Sequence, residues 1–263
     1  PDGTYGVLVV GQDDFVATLS HYSANDRSAF GVTGTIGRGE TVGVIPEGQI
    51  GLNSTEEDIG ITNFSGTQAS VLFSFIFESG TTYRTRVNVP ALGRAQVNVE
   101  DLRNFPAGEA YSVLFESSQP IVLTLPTQVF GEENAANFSD TAFSRWSFAA
   151  GYRPASGNGV ASYLRLFNPS VSQVLVEVTM HFAGEGNNAG TAETFRFTIN
   201  ARSVLAIDLH DLVTGTRRNS AQTYGVTVKA GAPIVAYQGH FDQSFPGSFG
   251  TLGTPLGGTN PVA

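Results

Sequence analysis

Four histidines, three acidic clusters and a scatter of aromatics are the residues of this chain that could do chemistry. His21 and His240 each follow a tyrosine, Tyr5 or Tyr224, at the same distance. An imidazole titrates near neutrality, so the two could act as acid–base groups or paired ligands. The matching place between them holds Thr127, so the unit does not need histidine there, and a structural role is expected. His181 and His210 fall on the polar faces of their segments beside Glu177 and Asp208, where solvated surface is the expected reading.

Asp13-Asp14, Glu56-Glu57-Asp58 and Glu132-Glu133 could bring hard oxygen ligands together for calcium. None has the spaced Asp/Asn-x-Asp-Gly loop of a dedicated site, so charged loop tips and no cofactor are expected, with calcium as the alternative. There is no Gly-x-Ser-x-Gly elbow, no His-Glu-x-x-His and no phosphate-cradling glycine loop. A glycosidase needs two carboxylates across one cleft, whereas these acids lie in turns of separate segments. The chain is expected not to be an enzyme. Trp146, Tyr22, Tyr83, Tyr152 and Tyr237 could stack on sugar rings; for Trp146 a buried anchor is favoured by its place in the repeat described below. Sequons at Asn53, Asn63 and Asn137 matter only in a host that glycosylates them.

The elements that must position these residues are written as a repeat. Tyr5-Gly6-Val7-Leu8-Val9, Tyr111-Ser112-Val113-Leu114-Phe115 and Tyr224-Gly225-Val226-Thr227-Val228 align without gaps. Each continues through Asp13-Asp14, Gln119-Pro120 or Ala232-Pro233, read as a turn, into Phe15-Val16-Ala17, Ile121-Val122-Leu123 or Ile234-Val235-Ala236. These hairpins lead to Phe30, Phe143 and Phe249. A second block occurs twice, at Asn63-Phe64-Ser65 and Asn168-Pro169-Ser170, and closes at Val97–Leu102 and Ile207–Leu212. Val174 to Phe182 alternates apolar and polar, the period of a half-buried strand. Only Val99–Asn104 and Leu209–Thr214 hint at a helical turn.

About seven short strands per period of roughly 100 residues describe an all-β chain of tandem antiparallel immunoglobulin-like β-sandwiches. The expected division is an incomplete N-terminal hairpin over 1–34, packed on a sandwich edge, then repeats over 35–143 and 144–263. Of 263 residues, 41% are apolar, enough for real cores, and no apolar run is long enough to span a membrane. Fourteen basic against 23 acidic residues give a charge of −9, which argues against nucleic acid as a partner. The absence of cysteine removes disulfides and thiolate ligands. The sequence starts at Pro1 without a leader, as expected of a processed chain or of part of a longer one.

The stretches Arg145-Trp146-Ser147-Phe148-Ala149-Ala150-Gly151-Tyr152, Ser162-Tyr163-Leu164-Arg165-Leu166-Phe167-Asn168-Pro169 and Ser118-Gln119-Pro120-Ile121-Val122 resemble a tandem bacterial extracellular β-sandwich repeat family of unknown function. The resemblance spans about residues 110 to 212, with weaker copies on either side. Ala150 stands where that family has Glu, and the first copy lacks the Trp. The resemblance implies a secreted, cell-surface or periplasmic location and a structural or adhesive role. The leading expectation is a structural or assembly subunit working through protein partners or self-assembly. A carbohydrate-binding module and an accessory subunit of a membrane-anchored complex are the alternatives. The residues expected to meet a partner are Tyr5, Val7, Val9 and Phe15 on the leftover hairpin, with Trp146 and Tyr152. Unpaired strand edges are sticky, so the hairpin should dock in cis or in trans, and head-to-tail docking in trans would build a filament or ring.

Overall fold

A computed structural model describes residues 6–10, 12, 17–23, 28–35, 37, 39–52, 54–129, 132–155, 159–183, 190–215, 217, 220–242, 248–256 and 259–261. These residues are nearly all β, in antiparallel sheets. The hints at Val99–Asn104 and Leu209–Thr214 are hydrogen-bonded turns. No helix among the described residues is long and apolar enough to cross a membrane.

Strands β1 (Thr18–Ser23) and β2 (Ser28–Thr33) form a two-stranded hairpin. A first unit follows: β3 (Glu40–Ile45), β4 (Ser54–Asn63), β5 (Ala69–Phe77), β6 (Thr82–Val89), β7 (Gly93–Asn98), β8 (Tyr111–Val129) and β9 (Glu132–Asn137). A second unit contains β10 (Thr141–Phe148), β11 (Tyr152–Arg153), β12 (Val160–Asn168), β13 (Val174–Phe182), β14 (Thr191–Ile199), β15 (Ser203–Asp208), β16 (Gln222–Asp242) and β17 (Phe249–Leu252). Then β18 (Thr254–Pro255) and β19 (Thr259–Pro261) lie along β10.

The two units use one pairing scheme. The first half of β8 lies between β5 and β3, with β6 beyond β5; its second half lies between β4 and β9, with β7 beyond β4. In the same way β16 joins β14-β13 and β10 to β15-β12 and β17. Each long strand therefore changes sheets midway, and its two halves enclose one apolar cluster.

This corrects the reading of Gln119-Pro120 and Ala232-Pro233 as hairpin turns. The strands run straight through them. β8 leaves β5 at Ser117 and meets β4 from Val122, so Pro120 sits at the crossing, between the last rung of one ladder and the first of the next. A proline has no N–H to donate, and the crossing is where that costs least.

Two local devices recur. Asn63 is fully buried; its Nδ2 donates to Thr67 O (2.8 Å) and Pro90 O (3.0 Å), and its Oδ1 accepts from Ser65 N (2.9 Å). Asn168 repeats this with Ser172 O (2.8 Å), Asn200 O (2.9 Å) and Ser170 N (3.0 Å). The Asn63 sequon is thus a turn lock whose amide is out of reach of modification in the folded chain. Gly48 and Gly151 lie flat on the rings of Tyr111 and Tyr224, where an added Cβ would stand 2.0 and 2.1 Å from the nearest ring carbon.

Candidate functional site

Three places carry the polar or exposed features that a function could use: the junction between the units, the end of the second unit away from that junction, and the N-terminal arm.

The junction joins outward faces. Val44 and Ile76, pointing away from the first unit's core, belong to the apolar cluster of the second, and Leu114 packs against it. Tyr163, Tyr237 and Phe241, pointing away from the second unit's core, belong to the cluster of the first. Ala206 N donates to Glu78 Oε1 across the same seam (3.0 Å). Within it, Tyr163 Oη donates to Glu47 Oε1 (2.9 Å) and accepts from Gln49 Nε2 (2.7 Å). The Arg165 guanidinium lies 4.3 Å over the Tyr163 ring and 3.8 Å from Glu47 Oε2. Gln49 N donates to Glu57 Oε1 (2.7 Å), and the Tyr111 hydroxyl donates to Glu57 Oε2. Asn134 Nδ2 donates to Tyr237 Oη (3.1 Å).

Glu47, Gln49, Glu57, Tyr111, Asn134, Tyr163, Arg165 and Tyr237 are all buried, whereas the Ala206–Glu78 bond lies at the exposed rim. Burial pushes Glu57 up to about 8; the Tyr111 hydrogen bond opposes this and the nearby Glu47 charge adds to it. Burial also raises Glu47 to about 7 against the pull of Arg165. At neutral pH Glu57 is therefore held mainly as the neutral acid. Such a network can store a proton and lock two units together, but no substrate can reach it.

At the end of the second unit away from the junction lies an open cleft of about 470 Å³, lined in part by Gly151, Tyr152, His181, Tyr224, His240 and Phe249. Behind its lining residue His240, Ser162 Oγ lies 2.6 Å from His240 Nδ1, and the imidazole is stacked on Phe249. A hydroxyl beside an imidazole is a nucleophile–base pairing in form. Ser162 is 1% exposed, so its oxygen does not face a substrate. By register Ser162 and His240 stand where the first unit has Glu57 and Thr127. The pair fills the end of a core, as Glu57 and Tyr111 do in the first unit. Burial, then the neighbouring His210, lowers the His240 pKa and favours the neutral ring.

Among the residues expected to meet a partner, Tyr152 is exposed at the mouth of this cleft. Trp146 is not available. It is 2% exposed, with Nε1 donating to Ile234 O (2.9 Å) and Phe143 O (3.1 Å). Its partner across the ladder is Val228, whereas the first unit pairs Gly43 with Phe115. The bulk has changed strands, which is why the first copy lacks the Trp. Tyr237 is likewise buried in the junction. Val7 and Val9 are exposed, while Tyr5, Phe15 and Asp13-Asp14 lie outside the described residues.

The run Glu56-Glu57-Asp58 does not converge on an ion, because a strand sends neighbours to opposite faces. Glu57 turns inward to Tyr111 and Glu56 outward to solvent. No three His, Asp or Glu side chains come together as metal ligands among the described residues. His181 and His210 bond to Thr227 Oγ1 (2.9 Å) and Tyr152 O (3.2 Å).

Sequence reasoning missed the junction: Glu47, Gln49 and Asn134 drew no notice, Glu57 was weighed only as a calcium ligand, and Tyr163 and Arg165 only as part of the repeat. One signal was present. Ser162–Asn168 is buried on both faces and carries Tyr163, Arg165 and Phe167 where β4 carries Asp58, Gly60 and Thr62.

No family model matches the chain, and none of the curated proteins does. Among solved structures it is similar to Thermotoga maritima 1070, at 22% identity over 34% of this chain and 80% of that one, with a TM-score of 0.32. It is also similar to the Anabaena sensory rhodopsin transducer, at 24% identity over 35% of this chain and 91% of that one, with a TM-score of 0.31. Bacteroides uniformis β-glucuronidase 2 overlaps 75% of this chain and 24% of its own, at 8% identity and a TM-score of 0.19. At these scores no activity passes from them to this chain.

Proposed function

We propose that this chain is a non-catalytic assembly module of a bacterial extracellular or envelope structure, built as two tandem immunoglobulin-like β-sandwiches and docking a protein partner through its N-terminal arm. The observation that carries the reading is an asymmetry between the two ends. At one end Val7, Leu8, Val9 and Val10 are exposed in a row. At the other end the outward face of β10, β13 and β16 bears Ser147, His181 and Thr227, where the first unit has Val44, Ile76 and Leu114. Apolar side chains in a row favour burial against a partner, whereas a polar outer face favours contact with water. One sticky end and one polar end favour docking that stops over a filament that grows.

The test is affinity capture from the extracellular fraction of the native source, comparing the wild-type chain with Val7→Asp/Val9→Asp. A protein retained by the first and lost from the second supports the reading. Equal retention by both would sink it.

A second reading places a small polar ligand such as a sugar in the cleft of the second unit, favoured by the exposed ring of Tyr152 at its mouth. Saturable glycan binding abolished by Tyr152→Ala would favour it over the first.

A further inference from the structure

We infer that the cleft of the second unit is the repeat's docking socket, re-lined to hold an acidic sugar whose carboxylate accepts a hydrogen bond from Tyr224. This rests on the second reading above, of a sugar in the cleft, and adds the charge that the sugar must carry.

The cleft stands where the first unit receives the second. Tyr224 N donates to Gly151 O as Tyr111 N does to Gly48 O (both 3.0 Å), and Ala183 N donates to Thr223 O (3.0 Å) as Glu78 N does to Ala110 O (3.1 Å). His240 pairs with Phe249 as Thr127 pairs with Asn134. Ala150, Tyr152, Ala183 and Phe249 therefore hold the places of Glu47, Gln49, Glu78 and Asn134. Those four polar side chains bind the incoming unit, through Tyr163, Ala206 and Tyr237.

The second unit has lost all four anchors, so its socket lacks the bonds that hold Tyr163 and Tyr237. It has gained an exposed Tyr152 ring, a half-buried Phe249 ring and, at the place of Ile76, His181. No carboxylate lines the cleft among the described residues. An open volume of about 470 Å³ with aromatic walls and a few fixed polar groups has the build of a small-molecule site. The flat ring of Tyr152 suits the apolar face of a sugar ring.

The carboxylate is read from Tyr224. In the first unit the Tyr111 hydroxyl donates to the buried carboxylate of Glu57. Leu209 N donates to Ser162 O (2.8 Å) as Val99 N does to Glu57 O (2.9 Å), so Ser162 holds the place of Glu57. Ser162 stands beside Tyr224 but is bonded to His240 Nδ1 (2.6 Å). The Tyr224 hydroxyl, on a side chain 3% exposed, has no hydrogen-bond partner among the described residues. Burial pushes it up to about 12, so it is a donor without an acceptor. A buried donor left unmet costs free energy that an acceptor restores.

The acceptor that the same repeat uses is a carboxylate. Around it His240 and His181 add ring nitrogens to the lining, and Arg153, at the place of Ile50, adds charge that bears on Tyr224. Asp208 also bears on Tyr224, with its Oδ1 accepting from His210 N (2.8 Å). The first unit's socket is acidic and takes a guanidinium and a phenol. The second unit's socket has shed its acids and fits a ligand of the opposite charge.

The experiment titrates the full chain, by calorimetry at fixed pH and ionic strength, with a set of hexuronates: D-galacturonate, D-glucuronate, L-guluronate and D-mannuronate. Each is run beside its uncharged methyl ester. The expected result is saturable binding of at least one acid, with its ester weaker by about tenfold or more. Tyr224→Phe removes a hydroxyl that nothing in the chain accepts from. It should weaken the acid by about tenfold or more while the urea midpoint stays at or above that of the parent. Tyr152→Ala should weaken acid and ester alike. A purely structural Tyr224 would give the reverse: a lower midpoint and an unchanged affinity. That outcome, or no binding of any acid, overturns the inference. Esters that bind as tightly as the acids overturn it too, but leave the sugar reading of the cleft standing. If neither acids nor esters bind, the sugar reading falls as well.

Discussion

The Tyr111 hydroxyl donates a hydrogen bond to Glu57 Oε2 with both side chains sealed from water, and the first unit closes over them. In the second unit Tyr224 and Ser162 hold the matching places, so the same fold accepts an ionisable pair in one copy and a hydroxyl pair in the other.

That substitution makes stability depend on pH in a definite direction. Glu57 is raised from 4.5 to about 8 and Glu47 from 4.5 to about 7, in both cases chiefly by burial. A carboxyl raised on folding binds more protons in the native chain than in the unfolded one. Its contribution is present in full below about 4.5 and is lost as the pH climbs through 7 to 8. Urea unfolding at fixed ionic strength should give a midpoint that falls steadily from pH 5 to pH 8.5. Glu57→Gln keeps the shape and removes the charge, and should flatten most of that slope. An unchanged slope in the variant would mean that other groups set it.

The exchange of bulk between Trp146 and Val228 in one unit and Gly43 and Phe115 in the other predicts a rescue. Trp146→Gly empties a site that is 2% exposed and should cost about 3–5 kcal/mol. Adding Val228→Phe rebuilds the first unit's arrangement and should return about 1–2 kcal/mol, while Val228→Phe alone should destabilise by overpacking. Chemical denaturation of the four proteins in a double-mutant cycle gives the coupling. Purely additive losses would mean that the two pairs are not equivalent.

How far the sequence disclosed this molecule follows from what each residue answers to. Tyr111, Tyr224, Asn63 and Asn168 repeat because each meets partners inside its own unit, so a linear comparison finds them. Pro120 and Pro233 mislead because a proline inside an apolar run looks the same at a turn and at a crossing between ladders. The junction is illegible for a different reason. Glu47, Tyr163 and Arg165 answer to each other across more than 110 residues, as the Tyr163–Glu47 hydrogen bond shows. Read locally, Glu47 is a loop acid and Arg165 a surface base. Only the packing of two outward faces makes them partners. Tyr152 and Trp146, taken together as aromatics able to bind, separate once Trp146 Nε1 is seen to bond two backbone carbonyls.

The polar end of the second unit can be converted into a copy of the apolar one. Ser147, His181 and Thr227 occupy the places of Val44, Ile76 and Leu114, and among their side chains His181 Nε2 lies 2.9 Å from Thr227 Oγ1. His181 is exposed and Ser147 and Thr227 are half-buried on an outer face away from the core, where exchange costs about 0.5 kcal/mol, so Ser147→Val/His181→Ile/Thr227→Leu should fold as the parent does. Its face would then match the one that the second unit covers in the first. Sedimentation velocity over about two decades of concentration should find self-association in the triple variant and none through this face in the parent. A triple variant that sediments like the parent throughout would mean that something other than these three polar side chains keeps that end free. The one-ended reading of the chain would then lose its physical cause.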